Sequence, residues 1–487
     1  MIVKIRILSD LFQKMKIICL ILLLFVSYQN CYLFGQSISK LDSSLNQQIE
    51  KTIIACKEFQ SIPGLAVGIV KNNQVVYAKG FGVKDLSSKE EVTINTLFHL
   101  ASISKTVTSS AIIKLNSEGK LNLYDKLVKY IPSLVCEDTN VGNITIYHLL
   151  THTSGIKGDE DHYLDNPEYL DKSVTDFVSK LHIGTQTKPG EKFVYSNLGY
   201  KMLGAVIEKV SGIPFETYVK KQFFVPLGMA KSTFIKKDFE SNEYCSPYIF
   251  NYDSCKISKT TLYPYCRINS SSGNLQSNIV DMCKYAIFHL NKGKANEQTI
   301  IPDSSYRTMW KGRAKVEWGG IYDLYASGWF VGNYKNNLIV HHSGNDHGFR
   351  AHFLLLPEQK IGIIILSNYE QSKVLRLGEE LCGIMVGKPE NKVWGESMAE
   401  AVGTYCKDKD CVTVLTEKKN TFMDFAGHKY CLVPSAFDGL FSGSFISGRP
   451  KQVYYDKANI MLEKNIVNDK DVYTLKINGV ELEKTTR

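Results

Sequence analysis

Residues 98–114 constrain the fold more than any other stretch, because a Ser-Ile-Ser-Lys tetrapeptide at 102–105 runs straight into a helical pattern. The apolar residues after Ser102 recur at helical intervals: Val107, Ala111, Ile112 and Leu115. We predict that Ser102 opens a helix and that Lys105 lies one turn later on the same face. Backbone N–H groups at a helix start stabilise a nearby oxyanion, and a neighbouring amine can take a hydroxyl proton. The pattern therefore suits a nucleophilic serine.

The Ser-x-x-Lys pattern occurs four times in the chain, so it is not specific alone. The other three copies begin at Ser37, Ser117 and Ser154. The first copy follows a predicted export signal, the second lies at a predicted helix end, and the third has Gly155 directly after its serine. An ordinary helix start with a solvated lysine explains any single copy, so the assignment of Ser102 depends on motifs further along.

Two such motifs follow Ser102 in the chain. Tyr195-Ser-Asn197 stands directly before a clear helix, although a plain core aromatic is the alternative interpretation of Tyr195. His342-Ser343-Gly344 lies on the first of three apolar runs that we predict to be adjacent antiparallel strands. A glycine within a strand often marks a place where a ligand approaches the backbone.

Residues 1–35 are predicted to be a secretory signal peptide. Lys14 and Lys16 precede an apolar run at 17–26, and the small residue Gly35 precedes a polar one. An apolar run of this length is too short to span a bilayer comfortably, although an uncleaved anchor is the alternative interpretation. We therefore expect an exported protein, periplasmic or extracellular, without stable membrane insertion after signal removal.

The chain of 487 residues is too long for one ordinary domain. Residues 36–391 are predicted to form the large catalytic domain and residues 392–487 a small β-barrel-like accessory domain. The second prediction depends on short alternating runs, at 412–415, 452–455, 460–462 and 472–477, which replace helical periodicity after about Ala401. The formal charge of +9 comes without a basic run, so we expect no nucleic-acid partner.

Histidine and cysteine spacing does not predict a metal site. His148 and His152 are four residues apart, but no third ligand lies near them in the sequence, so a packing or hydrogen-bonding role is favoured. The 12 cysteines include no Cys-x-x-Cys pair. In an oxidising compartment, candidate disulfides are Cys406–Cys411 and pairs among Cys245, Cys255 and Cys266. We expect neither a metal nor a cofactor.

These motifs together resemble the penicillin-recognising serine hydrolases, the superfamily of β-lactamases and D,D-peptidases, in particular the branch with class C β-lactamases, D-aminopeptidases and related esterases. Ser102-x-x-Lys105, Tyr195-x-Asn197 and His342-x-Gly344 occur in the expected order, and the flanking phrases at 148–155 and 342–349 also match. The tail resembles the small lipocalin-like β domain appended to many such enzymes. The resemblance implies an α+β fold, in which an antiparallel sheet is flanked by helices and carries a helical lobe.

The resemblance also implies a role for each site residue. Ser102 would attack a carbonyl of a small-molecule or peptide substrate and form an acyl-enzyme. Lys105 or Tyr195 would be the base, and the sequence does not choose between them. Asn197 would bind the substrate's amide or orient Lys105. The backbone N–H groups of Ser102 and Asn345 would form the oxyanion hole, with 342–344 as the opposite wall of the cleft.

One motif departs from the pattern of many β-lactamases, and this difference bears on the choice of substrate. Many β-lactamases carry Lys-Thr-Gly where this chain has His342-Ser343-Gly344, and an ordinary histidine is mostly neutral at pH 7. We therefore favour a peptidase, amidase or esterase over an efficient β-lactamase, and expect His342 to gain charge toward pH 6. A true β-lactamase or D,D-carboxypeptidase is one alternative. A catalytically weak penicillin-binding or sensor module is the alternative of another class.

Overall fold

A computed structural model describes most of the chain from residue 41 onward. The described ranges are 41–156, 167–251, 256–316, 323–389, 402–407, 410–417, 420–425, 428–434, 440–446, 458–467, 470–477 and 480–484. The predicted signal peptide, the Ser37 copy of the Ser-x-x-Lys pattern and the predicted strand at 452–455 lie outside the described residues.

The helices of the described residues lie before residue 390. In chain order they are α1 (Ser43–Gln60), α2 (Ser104–Ser117), α3 (Ile146–Leu150), α4 (Pro167–Leu170), α5 (Val174–Val178), α6 (Asn197–Ser211), α7 (Phe215–Val219), α8 (Ser270–Gly273), α9 (Ile279–Leu290), α10 (Asp303–Met309) and α11 (Val374–Met385). Short 3-10 turns occur between them, and the one at Ala101–Ile103 directly precedes α2. No helix of the described residues is long and apolar enough to cross a bilayer.

The strands form one large sheet, several two-stranded pairs and a barrel. In chain order they are β1 (Gly64–Lys71), β2 (Gln74–Gly82), β3 (Phe98–His99), β4 (Val135–Cys136), β5 (His182–Ile183), β6 (Tyr248–Asn251), β7 (Lys256–Lys259), β8 (Gln276–Ser277), β9 (Lys294–Ala295), β10 (Gln298–Thr299), β11 (Ala314–Lys315), β12 (Leu324–Tyr325), β13 (Phe330–Tyr334), β14 (Asn337–Asp346), β15 (Phe349–Leu356), β16 (Ile361–Ser367), β17 (Gly403–Lys407), β18 (Asp410–Glu417), β19 (Asn420–Phe425), β20 (His428–Pro434), β21 (Leu440–Ile446), β22 (Ala458–Val467), β23 (Lys470–Ile477) and β24 (Val480–Lys484).

The large sheet has eight strands in the order β11-β12-β13-β14-β15-β16-β1-β2, and every pair in it is antiparallel. The first strands along the chain therefore add to an edge formed by the later ones. Asn72 and Asn73 predict a tight turn from the sequence, because asparagine tolerates positive φ. They form that turn between β1 and β2, with φ of 51° and 64°. The three strands predicted after residue 338 are β14, β15 and β16, paired as expected.

Helices cover both faces of this sheet, and strand alternation explains why. In β1, the side chains of Leu65, Val67 and Ile69 face one core, which α1 and α11 complete. Ala66 and Val70 face the other core, which contains α2, α6 and α9. The predicted α+β arrangement, an antiparallel sheet flanked by helices with a helical lobe, is therefore confirmed.

Helix α2 differs from the amphipathic helix that the sequence predicts, because its polar residues are buried as well. Thr108 Oγ1 donates to the carbonyl of Ser271, and Ser109 Oγ donates to the carbonyl of Ser327. A buried hydroxyl is tolerated when it is hydrogen-bonded, so these contacts allow a polar helix to pass through the interior. Ser117 is the last residue of α2, which confirms that the copy of the Ser-x-x-Lys pattern beginning there marks a helix end.

The strands β17 to β24 close into a separate eight-stranded barrel. Cys406 and Cys411 lie opposite each other in the hairpin of β17 and β18 and form a disulfide. Cys245 and Cys266 are free and buried, and Cys255 lies outside the described residues. The domain boundary predicted at residues 391 and 392 also lies outside the described residues, so it stays a prediction.

Candidate active site

Ser102 lies in the 3-10 turn Ala101–Ile103, and the α-helix begins two residues later at Ser104. The prediction that Ser102 itself opens the α-helix is therefore wrong. Ala101 has φ of 47°, in the left-handed region that residues with a side chain seldom adopt, and this turns the chain before the helix can start. Within residues 101–113 every residue except Ser102 is buried, so the turn presents this one side chain.

The side chain of Lys105 is fully buried beside Ser102. Its Nζ lies 3.0 Å from Ser102 Oγ, 2.8 Å from Asn197 Oδ1 and 2.5 Å from the carbonyl oxygen of Ser272. Burial lowers the pKa of Lys105 well below its ordinary value, the nearby Asp346 carboxylate opposes that shift, and the charge on Lys201 adds to it. The amine that the sequence places near Ser102 is therefore in contact with it.

Tyr195, Ser196 and Asn197 reach the same place from the start of α6. Ser196 is the N-cap of this helix, because its side chain accepts from the N–H of Gly199. Tyr195 is hydrogen-bonded to Ser102, and burial raises the pKa of the tyrosine above its ordinary range. The ring of Tyr195 also lies under the Lys105 amine, with Nζ 5.0 Å from the ring centroid.

His152 supports this entrance to α6. Its Nδ1 accepts a 3.1 Å hydrogen bond from the N–H of Ser196, and its ring lies 4.2 Å from that of Tyr195. His148 has a different role, because it completes a capping box with Thr145 at the start of α3. The packing and hydrogen-bonding roles favoured from the sequence are what the structure shows. The sequence predicts that Gly155 ends the helix that contains His148, but α3 already ends at Leu150. His152, with φ of 54°, helps to explain this earlier end.

His342 lies on β14, and both ring nitrogens are engaged. Nδ1 donates to the carbonyl oxygen of Ser343 at 2.7 Å, so Nε2 is left to accept from the Tyr325 hydroxyl at 3.3 Å. Burial, reinforced by the charge of Lys105, lowers the pKa of His342 to about 3. The expectation that His342 gains charge toward pH 6 is therefore wrong, because the ring has left the solvent that would stabilise its cation.

Gly344 allows β14 to approach the Ser102 turn. A Cβ at this position would lie 2.1 Å from the carbonyl oxygen of Leu100, which no side chain could tolerate without backbone movement. β13 pairs with β14 only as far as His341, so the edge of β14 from His342 onward is not covered by that strand. Ser343 is half-buried and Asn345 is exposed on this segment. All eight residues predicted for the site therefore lie on the three segments that meet here.

Two groups that contact the predicted site residues were not assigned a role from the sequence. The Ser272 carbonyl contacts Lys105, but a backbone carbonyl is common to every residue type, so the sequence carries no signal for this contact. No motif described above includes Tyr325. Its hydrogen bond to His342 depends on the pairing of β12 with β13 and of β13 with β14, which residue patterns do not specify.

Two known proteins are similar to this chain in amino-acid sequence over most of its length. The protein called flp from Staphylococcus aureus strain N315 is 29% identical over 383 residues, covering 77% of this chain and 73% of its own. Penicillin-binding protein 4* of Bacillus subtilis strain 168 is 25% identical over 390 residues, covering 73% of this chain and 82% of its own.

Solved structures agree on the fold. The octameric penicillin-binding protein homologue from Pyrococcus abyssi superimposes with a TM-score of 0.67 at 24% identity, covering 90% of this chain and 99% of its own. SurE, solved with D-Leu, gives a TM-score of 0.57 at 18% identity, covering 91% of this chain and 100% of its own. Residues 49–380 match the family model described as Beta-lactamase, so this chain belongs to the β-lactamase family.

Proposed function

We propose that this protein is a serine hydrolase that forms a covalent acyl-enzyme on Ser102 with an ester, amide or peptide substrate. The observation that carries the proposal is the surroundings of Lys105, a buried amine 3.0 Å from the Ser102 hydroxyl. A serine hydroxyl is a weak nucleophile until a nearby base takes its proton. Burial lowers the pKa of this amine well below its ordinary value, and this favours the neutral form that can act as the base.

The other contacts of Lys105 decide how its amine is oriented. A neutral amine has two N–H groups and one lone pair. Asn197 Oδ1 and the Ser272 carbonyl oxygen can only accept, so they take the two N–H groups. The lone pair is then directed to the third contact, Ser102 Oγ, whose proton it can accept. This orientation supports Lys105 as the base, one of the two alternatives that the sequence leaves open.

Tyr195 then supplies a proton rather than removing one. Its raised pKa keeps the phenol protonated at neutral pH, and it is hydrogen-bonded to Ser102. In the proposed sequence, Ser102 Oγ attacks the carbonyl carbon while its proton passes to Lys105 Nζ. Collapse of the tetrahedral intermediate breaks the bond to the leaving group, which takes a proton from Tyr195, and Lys105 reprotonates Tyr195. Water then attacks the acyl-enzyme by the reverse path and releases the acid.

The developing oxyanion would be stabilised by the backbone N–H groups of Ser102 and Asn345. The first belongs to the turn before α2 and the second to the edge of β14 that faces it. Removing one donor of this kind from an acyl-transfer enzyme typically costs about 3 kcal/mol of transition-state stabilisation. The close approach of Gly344 to Leu100 supports this pairing, because it brings the two segments together.

Labelling with a fluorophosphonate tests the proposal directly. Intact-mass spectra are expected to show one adduct, mapped by peptide fragmentation to Ser102, since the Ser102 hydroxyl is in contact with the Lys105 amine. Ser102→Ala is expected to abolish the adduct. An adduct on Ser37, Ser117 or Ser154 instead would contradict the assignment. Stable acylation without turnover of any ester, amide or β-lactam would favour a sensor module.

The state of His342 supports an ester, amide or peptide substrate over a β-lactam. A penicillin carries a carboxylate that a lysine cation would bind, and a charged hydrogen bond of this kind is worth roughly 1.5–3 kcal/mol. His342 is neutral, its Nδ1–H donates to Ser343, and its Nε2 accepts from Tyr325. It therefore has no donor left for a carboxylate.

Penicillin turnover is accordingly expected to be slow and insensitive to the substrate carboxylate. We expect kcat/KM for benzylpenicillin and for its uncharged methyl ester to be similar in wild type, and their ratio to be unchanged between pH 8 and 6, because the pKa of His342 is about 3. His342→Lys is expected to raise the ratio by about ten- to a hundredfold if the new contact forms in the transition state.

Arg350 is the residue that could bind the substrate carboxylate in place of a cation at His342. It pairs with Asn345 across β14 and β15, and its Nε is buried without a hydrogen-bond partner among the described residues. A wild type that strongly prefers benzylpenicillin over its methyl ester, and loses this preference in Arg350→Ala, would contradict the proposal. Such a result would mean that the cation lies on β15, and it would favour a true β-lactamase or D,D-carboxypeptidase.

Export to the periplasm or the extracellular space is part of the same proposal. The signal-like segment at 1–35 supports it, and so does the Cys406–Cys411 disulfide, because disulfides persist mainly in oxidising compartments.

A further inference from the structure

A second pair of side chains connects the two segments that carry the proposed oxyanion donors. His99 lies on β3, three residues before Ser102, and Asp346 is the last residue of β14, directly after Asn345. His99 Nε2 lies 3.0 Å from Asp346 Oδ2. The His99 side chain is 1% exposed and that of Asp346 is 14% exposed, so solvent weakens this contact little.

The neighbours of His99 fix which nitrogen carries the proton. Gln276, opposite His99 in the pairing of β3 with β8, donates from its Nε2 to the carbonyl oxygen of Asn274 at 3.3 Å. A carbonyl only accepts, so the Gln276 atom 2.7 Å from His99 Nδ1 is the amide nitrogen, and Nδ1 is an acceptor. His99 Nε2 must then carry the proton, and it donates to the Asp346 carboxylate. The Tyr263 hydroxyl, which donates to Gln276 Oε1, holds the amide in this orientation.

Two contacts therefore fix β14 against the Ser102 turn. The first is the close approach of Gly344 to the Leu100 carbonyl, which sets how near the strand can come. The second is the hydrogen bond from His99 to Asp346, which keeps the strand end from moving away. Leu100, between His99 and Ser102, is itself held by a hydrogen bond from its N–H to the Leu275 carbonyl at 2.8 Å. The turn is thus anchored on one side and joined to β14 on the other.

We propose that His99 and Asp346 are a positioning pair that holds the backbone N–H groups of Ser102 and Asn345 at the separation needed to bind one oxyanion. The inference rests on the proposed function, since it assumes that Ser102 is acylated. Neither side chain touches the substrate in this scheme. Donors in an oxyanion hole act only when both lie within hydrogen-bonding distance of the same developing charge, so a small displacement of β14 would weaken catalysis.

Two amide replacements of His99 separate this role from a general effect on folding. The side-chain nitrogen of glutamine lies near the position of histidine Nε2, whereas that of asparagine lies near Nδ1. His99→Gln therefore keeps a donor for Asp346, and His99→Asn does not. Both replacements are polar and uncharged, so both disturb the buried site to a similar degree. Asp346→Ala is not used, because the Asp346 carboxylate also opposes the pKa shift of Lys105 and its loss would alter the proposed base.

The readout compares 4-nitrophenyl acetate with its thiono analogue, in which sulfur replaces the carbonyl oxygen. Sulfur is larger and accepts hydrogen bonds poorly, so the thiono compound gains little from an oxyanion hole. We expect His99→Asn to lower kcat/KM for the oxygen ester by roughly ten- to a hundredfold, while kcat/KM for the thiono ester changes little. The ratio of the two values is expected to fall accordingly, and His99→Gln is expected to restore most of it.

A matched control is His289→Asn, which alters another fully buried histidine, bonded through Nδ1 to the Tyr306 hydroxyl in α10. This variant is expected to keep the wild-type ratio of the two esters whatever it does to stability. The inference is overturned if His99→Asn lowers both esters equally, or if His99→Gln is no better than His99→Asn. A wild type that is never acylated on Ser102 would instead overturn the proposed function, and the positioning role with it.

Discussion

Lys105→Ala, Tyr195→Phe and the double variant are each expected to lower kcat by a similar large factor, on the order of 10³-fold or more. The reason is that the two side chains handle one proton in succession. Lys105 takes it from Ser102 and returns it through Tyr195, which is hydrogen-bonded to the same hydroxyl. Once either residue is missing, the other has no partner, and removing it costs little more.

Steady-state kinetics on an uncharged amide substrate measure this effect, because an amide needs its leaving group to be protonated. Lys120→Ala is the matched control, since Lys120 belongs to another Ser-x-x-Lys copy, is exposed and forms an ion pair with Glu118. It is expected to leave kcat unchanged. If the losses from Lys105→Ala and Tyr195→Phe multiply in the double variant, the shared role is wrong.

The same arrangement predicts how activity varies with pH. Only the neutral amine of Lys105 can accept the proton, so kcat/KM is expected to rise with pH as Lys105 loses its charge. Burial lowers the pKa of this amine well below the ordinary 10.5, so the rise is expected to be complete far below pH 10.5. A profile that still rises through pH 10 would contradict the assignment of Lys105 as the base.

Gly344→Ala is expected to lower kcat/KM by about a hundredfold or more, because the new Cβ would lie 2.1 Å from the Leu100 carbonyl oxygen. Either β14 or the Ser102 turn must move, and both carry a proposed oxyanion donor. The misfit is also expected to lower the free energy of unfolding by about 1–3 kcal/mol. Activity assays and urea unfolding measure the two effects separately.

Gly142→Ala is the matched control for this variant, because a Cβ added at Gly142 would meet no atom within 4 Å. Its stability is expected to stay within about 0.5 kcal/mol of wild type. If Gly344→Ala keeps wild-type kcat/KM, the separation of β14 from the Ser102 turn does not matter for catalysis.

The sequence predicted which residues would lie close together, but it did not predict their electrostatic states. Ser102, Tyr195 and His342 belong to motifs whose order along the chain can be read directly from the amino-acid sequence. The neutral state of His342 depends on burial and on Tyr325, which reaches it only through strand pairing. For the same reason the sequence left the base undecided between Lys105 and Tyr195.

Predictions of helix ends failed in a similar way, at places where the folded chain overrides local preference. Apolar spacing placed a helix start at Ser102, but the left-handed Ala101 delays it to Ser104. By contrast, the paired asparagines at 72 and 73 predicted their tight turn, because a residue that tolerates positive φ carries that preference locally.

The contacts of Lys105 have a consequence for how the folding of this protein can be observed. Its three partners, Ser102, Asn197 and Ser272, come from distant segments of the chain, so the reactive state exists only when all three segments are docked. The rate of covalent labelling therefore reports native assembly rather than helix content. Labelling measured against urea concentration would reveal partial opening of any one segment, including opening too slight to change a spectroscopic signal.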